Sequence, residues 1–137
     1  MIKKIAHVGI ATRSIAVMSE FYKSIGLEVD TLETVKSQKV KVALMRVGES
    51  AIELIEATEE NSPISRFITT RGEGVHHISL EVDNLQHYLD LLKEKNIKLI
   101  DEKPRQGAEG RLIAFVHPDS TGGVLVELSQ PDTEAMG

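Results

Sequence analysis

The sequence predicts an α+β fold of two βαβββ modules, pairing into an eight-stranded curved mixed sheet with helices on its convex face. Three observations carry this. The segment Ile5–Ile15 resembles Val75–Leu85 at an offset of 70 residues, and Gly48–Leu54 resembles Gly122–Leu128 at an offset of 74. In both early segments a strand-like alternation runs into a capping residue, Ser14 or Asn84, and then into a helical stripe. The offsets differ by only four residues, so one duplicated unit explains the pattern better than chance recurrence of strand–helix–strand pieces.

Each element follows in order. After the first strand, Ile15, Met18, Tyr22 and Ile25 share one face of a helix; after the second copy, Leu85, Tyr88, Leu89 and Leu92 do. Gly26 and Asn96 tolerate a left-handed backbone and end these helices. Extended segments are expected at Leu27–Val35 and Ile97–Ile100, then strands at Lys39–Val47 and Arg111–Val116, and finally Ala51–Ile55 and Val124–Ser129. Module 1 covers about residues 1–59 and module 2 about 73–130. Ser62-Pro63 opens a bridging helix over about 60–72, and the 137 residues form one domain.

Composition narrows the chemistry. The 137 residues include no Cys, which excludes a disulfide framework, a thiolate nucleophile, iron–sulfur clusters and Cys-containing zinc sites. A net charge of −5 argues against nucleic acid as a partner, since phosphate neutralisation needs clustered Lys and Arg. No run of about 18 apolar residues predicts a membrane span, and the N-terminus does not read as a signal peptide, so a soluble cytoplasmic protein is expected. Any metal must use oxygen and nitrogen ligands.

Strand parity selects four of them. Side chains alternate between faces, and Ala6, Val8 and Ile10 form the apolar set beneath the first helix, leaving His7 with Gly9 and Ala11 on the other face. Ile78, Leu80 and Val82 leave His77 with Ser79 and Glu81; Ile52 and Leu54 leave Glu53; Val124, Val126 and Leu128 leave Glu127. His7, Glu53, His77 and Glu127 thus occupy equivalent places on the face the helices do not cover. Two imidazoles and two carboxylates suit one divalent first-row metal ion, and on an octahedral ion they leave two positions for water or substrate. A single strand His or Glu is more often structural or solvated; the shared repeat is what lifts these four above that. His76 reads as structural or supporting, His87 as solvated, and His117 as either loop or site.

At this point the chain resembles the vicinal oxygen chelate superfamily, the group with the glyoxalase/bleomycin-resistance/dioxygenase-like fold, and within it the methylmalonyl-CoA epimerase family. The resemblance runs from Ile5 to Leu128, through Phe21–Leu27, Asn61–Phe67 and Arg71–Ile78. Its most specific stretches are Gly110–Pro118 and Ser120–Leu128. The family's metal ligands fall by position on His7, Glu53, His77 and Glu127. Some epimerases carry Gln where this chain has Glu53. The resemblance implies interconversion of the (R) and (S) forms of methylmalonyl-CoA by 1,1-proton transfer through a metal-stabilised enolate. It implies one divalent ion per chain (Co, Mn, Ni, Zn or Mg), an acyl-CoA substrate and a homodimer. Some relatives have a glutamate, proposed as a base, where this chain has Val42, so Glu127 becomes the candidate base, with Glu53, Gln38, Lys41 or bound water as alternatives. Candidate substrate contacts are Gln38, Arg105, Arg111 and Ser120; Lys103–Arg111 offers cations to phosphates, and Ser120–Gly123 could close over the ligand. A lactoylglutathione lyase, an extradiol dioxygenase and a metal-free binding module of the same fold are the alternatives. The His-Pro-Asp-Ser-Thr-Gly-Gly turn counts against the first.

Overall fold

The computed structural model describes residues 1–131; the expected single domain extends beyond them to residue 137. The elements run β1 (Ile2–Ala11), α1 (Ile15–Ser24), β2 (Thr31–Val35), β3 (Val40–Val47), β4 (Ser50–Ala57), α2 (Pro63–Arg71), β5 (Gly74–Val82), α3 (Leu85–Glu94), β6 (Arg105–Gln106), β7 (Arg111–Val116) and β8 (Val126–Pro131). This is βαβββ twice, with α2 as the bridge. The mixed eight-stranded sheet reads β2-β3-β4-β1 through one half and β5-β8-β7-β6 through the other. The chain divides into two compact units, His7–His76 and Met1–Ala6 with the residues from His77 onward. Among the described residues no helix is long and apolar enough to cross a membrane.

In the unit His7–His76, β1 runs parallel to β4, while β3 is antiparallel to β4 and β2 to β3. Ser14 caps α1 by accepting from the Val17 N–H, and Gly26 just beyond the helix has φ +99°, a conformation that favours glycine. Ile15, Met18 and Tyr22 pack on Ile10, Ala43, Met45, Ile52 and Leu54, which confirms the predicted strand parity. Ile25 does not join them: it is the C-cap and is 63% exposed, because the helix ends one residue before it. The first free N–H of α1, at Ile15, donates to Glu56 Oε1 at 2.7 Å, so β4 holds the helix start.

The other unit repeats the arrangement. β5 is parallel to β8, with β7 antiparallel to β8 and β6 to β7. Asn84 accepts from the His87 N–H, and the Leu85 N–H donates to Gln130 Oε1 at 2.6 Å, the counterpart of Glu56 at the same 74-residue offset. Leu85, Leu89, Tyr88 and Leu92 pack on Leu80, Val82, Ala114, Val116, Val126 and Leu128. Val124 lies before β8 and is 45% exposed, outside this core. The expected strand Ile97–Ile100 is reduced to one bridge, Leu99 to Val116, and the edge strand forms at Arg105–Gln106 instead. There Gly107 meets the Ile113 side chain, and a Cβ at Gly107 would lie only 2.9 Å from it.

Candidate active site

The repeat offsets reappear in the strand register. In the first unit Gly9 pairs with Glu53; in the second Ser79 pairs with Glu127. A parallel pair places register partners on the same face, so the histidine two residues earlier on each strand stands diagonal to the glutamate. His7 Nε2 lies 3.6 Å from Glu53 Oε2, and His77 Nε2 lies 3.8 Å from Glu127 Oε2. Each unit therefore presents one histidine–carboxylate pair.

All four residues are buried, with Glu53 9% and Glu127 5% exposed. The expectation that a strand glutamate is merely solvated fails for both. The two separations exceed hydrogen-bonding distance. Ligands held about 2.0–2.2 Å from a common ion stand roughly 3.0–3.5 Å apart, so each pair has nearly the spacing of two ligands on one ion. The donor set fits a divalent metal, and the buried group His7, His77 and Glu127 is of a kind that could hold one.

The second pair is the more elaborately supported. The Phe115 ring meets the His77 ring edge-on at 5.6 Å, and Phe115 is the β7 register partner of Glu127. Burial raises the Glu127 carboxyl from its ordinary value of 4.5 to about 7, against the hydrogen bond from Ser79 and the positive charges of Arg111 and Arg105. Ser79 and Ser129 are fully buried, with their hydroxyls 3.3 Å apart. Arg111 pairs with Glu81 and places a guanidinium nitrogen 3.5 Å from Ser129 Oγ. Neither serine was among the residues singled out from sequence, although Ser79 and Glu81 share the parity of His77 and that signal was available.

Among the remaining candidates, Arg105 acts on Glu127 through its charge. Arg105 lies on β6, ion-paired with Asp101 at 3.2 Å and stacked over Phe115. Ser120 is engaged with the backbone of Lys98, accepting from its N–H and donating to its carbonyl. Gln38 ends a 3-10 turn before β3, and Lys41 is on β3. Val42 is buried on β3; with Ala43 and Met45 facing the helix, Val42 points to the face that carries Glu53. It offers no proton there.

The other histidines separate as the strand pattern suggests. His76 packs edge-on against Phe67, and burial, with the Arg71 charge adding to it, lowers it from 6.5 to about 4. His87 is exposed on α3. His117 Nδ1 accepts from the Asp119 N–H and caps a short turn, which assigns it to the loop.

A fold of paired βαβββ units, each presenting a buried histidine–glutamate pair, defines a class, and residues 6–115 match the Glyoxalase/Bleomycin resistance protein/Dioxygenase superfamily. The chain belongs to that superfamily, and within it to the group of the methylmalonyl-CoA epimerases, which are racemases and epimerases. It is 43% identical to the uncharacterized protein YqjC of Bacillus subtilis over 93% of this chain and 92% of that one. It is 35% identical to the mitochondrial methylmalonyl-CoA epimerase of Bos taurus, over 93% of this chain and 74% of the relative. Among solved structures, a single-residue variant of Streptomyces coelicolor methylmalonyl-CoA epimerase in complex with 2-nitronate-propionyl-CoA superposes with a TM-score of 0.92 at 31% identity, covering 96% of both chains.

Proposed function

We propose that this chain interconverts the C2 epimers of methylmalonyl-CoA, with His7, Glu53, His77 and Glu127 as the ligands of one divalent metal ion. The carrying observation is the pair of buried histidine–glutamate sets at equivalent registers, in a chain whose relatives include enzymes named for that reaction. Cobalt, manganese, nickel, zinc and magnesium all suit these hard and borderline donors. When bound, the ion supplies Lewis-acid stabilisation of the negative charge that develops as the α-proton leaves.

The chain's own groups account for the proton. In the metal-free protein burial raises the Glu127 carboxyl to about 7, and Glu127 is the carboxylate assigned to take the α-proton. Inversion then needs a donor on the opposite face of the planar carbanion, and Glu53 is the carboxylate that the other module offers. Val42, buried and aliphatic, takes no part. Arg105, with its side chain 42% exposed, is the cation assigned to the substrate's phosphates, with Gln38 as a further polar contact. A homodimer and a cytoplasmic setting belong to the same reading.

The test is solvent deuterium incorporation at C2 of methylmalonyl-CoA by the metal-loaded protein, with metal content fixed by elemental analysis. Incorporation at about one metal ion per chain supports the proposal. Metal-loaded protein that leaves C2 protiated ends it.

A further inference from the structure

We infer that Ser79, Ser129, Arg111 and Glu81 form a positioning chain that aims the Glu127 carboxylate, and that Arg111 serves this chain rather than the substrate. The inference rests on the epimerase reading for its kinetic consequences but not for its geometry.

The four residues are consecutive links within one unit. Glu81 on β5 pins the Arg111 guanidinium of β7, which reaches Ser129 on β8 at 3.5 Å. Ser129 meets Ser79 of β5 at 3.3 Å, and Ser79 hydrogen-bonds Glu127. Hydroxyl protons rotate to suit their neighbours. The Ser79 and Ser129 hydroxyls, 3.3 Å apart, link the Arg111 guanidinium to the Glu127 carboxylate. Ser79 restrains the carboxylate whose Oε2 stands 3.8 Å from His77 Nε2.

The duplicated module supplies a comparison inside the same chain. Register and offset match Ser79 with Gly9, Glu81 with Ala11, Ser129 with Ile55 and Arg111 with Val40. The first module thus has neither hydroxyl nor charge at any of the four places, yet it builds the same βαβββ unit. The fold does not require the polar chain. Its members lie on the face of the sheet that carries Glu127, away from the core under α3, which consists of aliphatic side chains and Tyr88.

The test uses Ser129→Ala, Arg111→Met and Arg111→Lys in the full-length protein, with two readouts. Supporting partners of a metal ligand typically change metal affinity or activity by about 10–100-fold. Ser129→Ala and Arg111→Met should each weaken Mn²⁺ binding, followed by calorimetry, by about tenfold, and lower kcat for C2 exchange by a similar factor with KM within about twofold. Arg111→Lys should recover most of both. Arg111→Met with raised KM and unchanged kcat would make Arg111 a substrate contact and overturn the inference, as would wild-type Mn²⁺ affinity in Ser129→Ala. Should Arg111→Met fail to fold, Ser129→Ala, which removes one buried oxygen, decides alone. A wild-type protein without exchange activity defeats the proposed function, while Mn²⁺ affinity still tests the chain.

Discussion

Glu127→Gln should stabilise the metal-free protein at alkaline pH while weakening the proposed metal binding. Glu127 is 95% buried, and burial raises its carboxyl from 4.5 to about 7, outweighing the Ser79 hydrogen bond and the nearby arginines. Between these values the folded state holds a proton that the unfolded chain has released, so stability falls as pH rises from 4.5 to about 7 and stays low above it. At about 1.4 kcal/mol per tenfold change in proton affinity, the cost of ionised Glu127 at pH 8 is about 3 kcal/mol. Glutamine has nearly the same shape and no charge to desolvate. Urea unfolding of chelator-stripped protein should therefore show the variant about 3 kcal/mol more stable than the parent at pH 8, or about 10 °C higher in Tm, and nearly equal at pH 4.5. His76 works in the opposite sense. Its imidazole is depressed from 6.5 to about 4, so its contribution is complete above pH 6.5 and is lost as pH falls towards 4. The parent's profile should thus be nearly flat between pH 4.5 and 6.5, and Glu127→Gln should unmask a loss of stability on acidification. A variant no more stable than the parent at pH 8 would show that ionised Glu127 carries no such cost.

His77→Ala should leave the purified protein without stoichiometric metal and without C2 exchange while the far-ultraviolet dichroism is kept; metal retained at one ion per chain would remove His77 from the ligand set. Leu89→Ala opens a cavity beneath α3 at a fully buried position and should cost about 2–5 kcal/mol in urea unfolding. Gln130→Ala removes the acceptor of the Leu85 N–H and should cost about 1 kcal/mol. Gln130→Glu should match or exceed the parent, because Glu56 does this work at α1 and a carboxylate is favoured at a helix N-terminus.

What was legible in the sequence was whatever depends on period. Two-residue alternation assigned His7, Glu53, His77 and Glu127 to the face opposite the helices, and the 70- and 74-residue offsets return as the register pairs Gly9–Glu53 and Ser79–Glu127. Caps at Ser14, Ser62 and Asn84 were legible because short polar side chains satisfy helix N–H groups locally. Features set by long-range partners were not. Ile97–Ile100 has the composition of a strand, yet it secures only the bridge from Leu99 to Val116, and pairing passes to Arg105–Gln106. Arg111, in a basic stretch, suggested a phosphate contact; only the fold shows Glu81, 30 residues away, holding it. Ser120 likewise spends its hydroxyl on the backbone of Lys98.

The contrast between the modules bears on why a half-buried ion pair persists in so small a protein. Desolvating Arg111 and Glu81 costs more than an apolar replacement would, so stability alone is a poor reason to keep them. The first module makes the same point from within the chain: Val40, Ala11, Ile55 and Gly9 fill the equivalent places, and its sheet retains all of the corresponding strand pairings. Duplication gave both modules a histidine and a glutamate at matching registers, and at the four matched positions it is the second that carries hydroxyls and a fixed cation. Two chemically identical carboxylates in different settings have different freedom to turn. Near-identical modules would supply two equivalent groups; divergence at four positions makes them unequal.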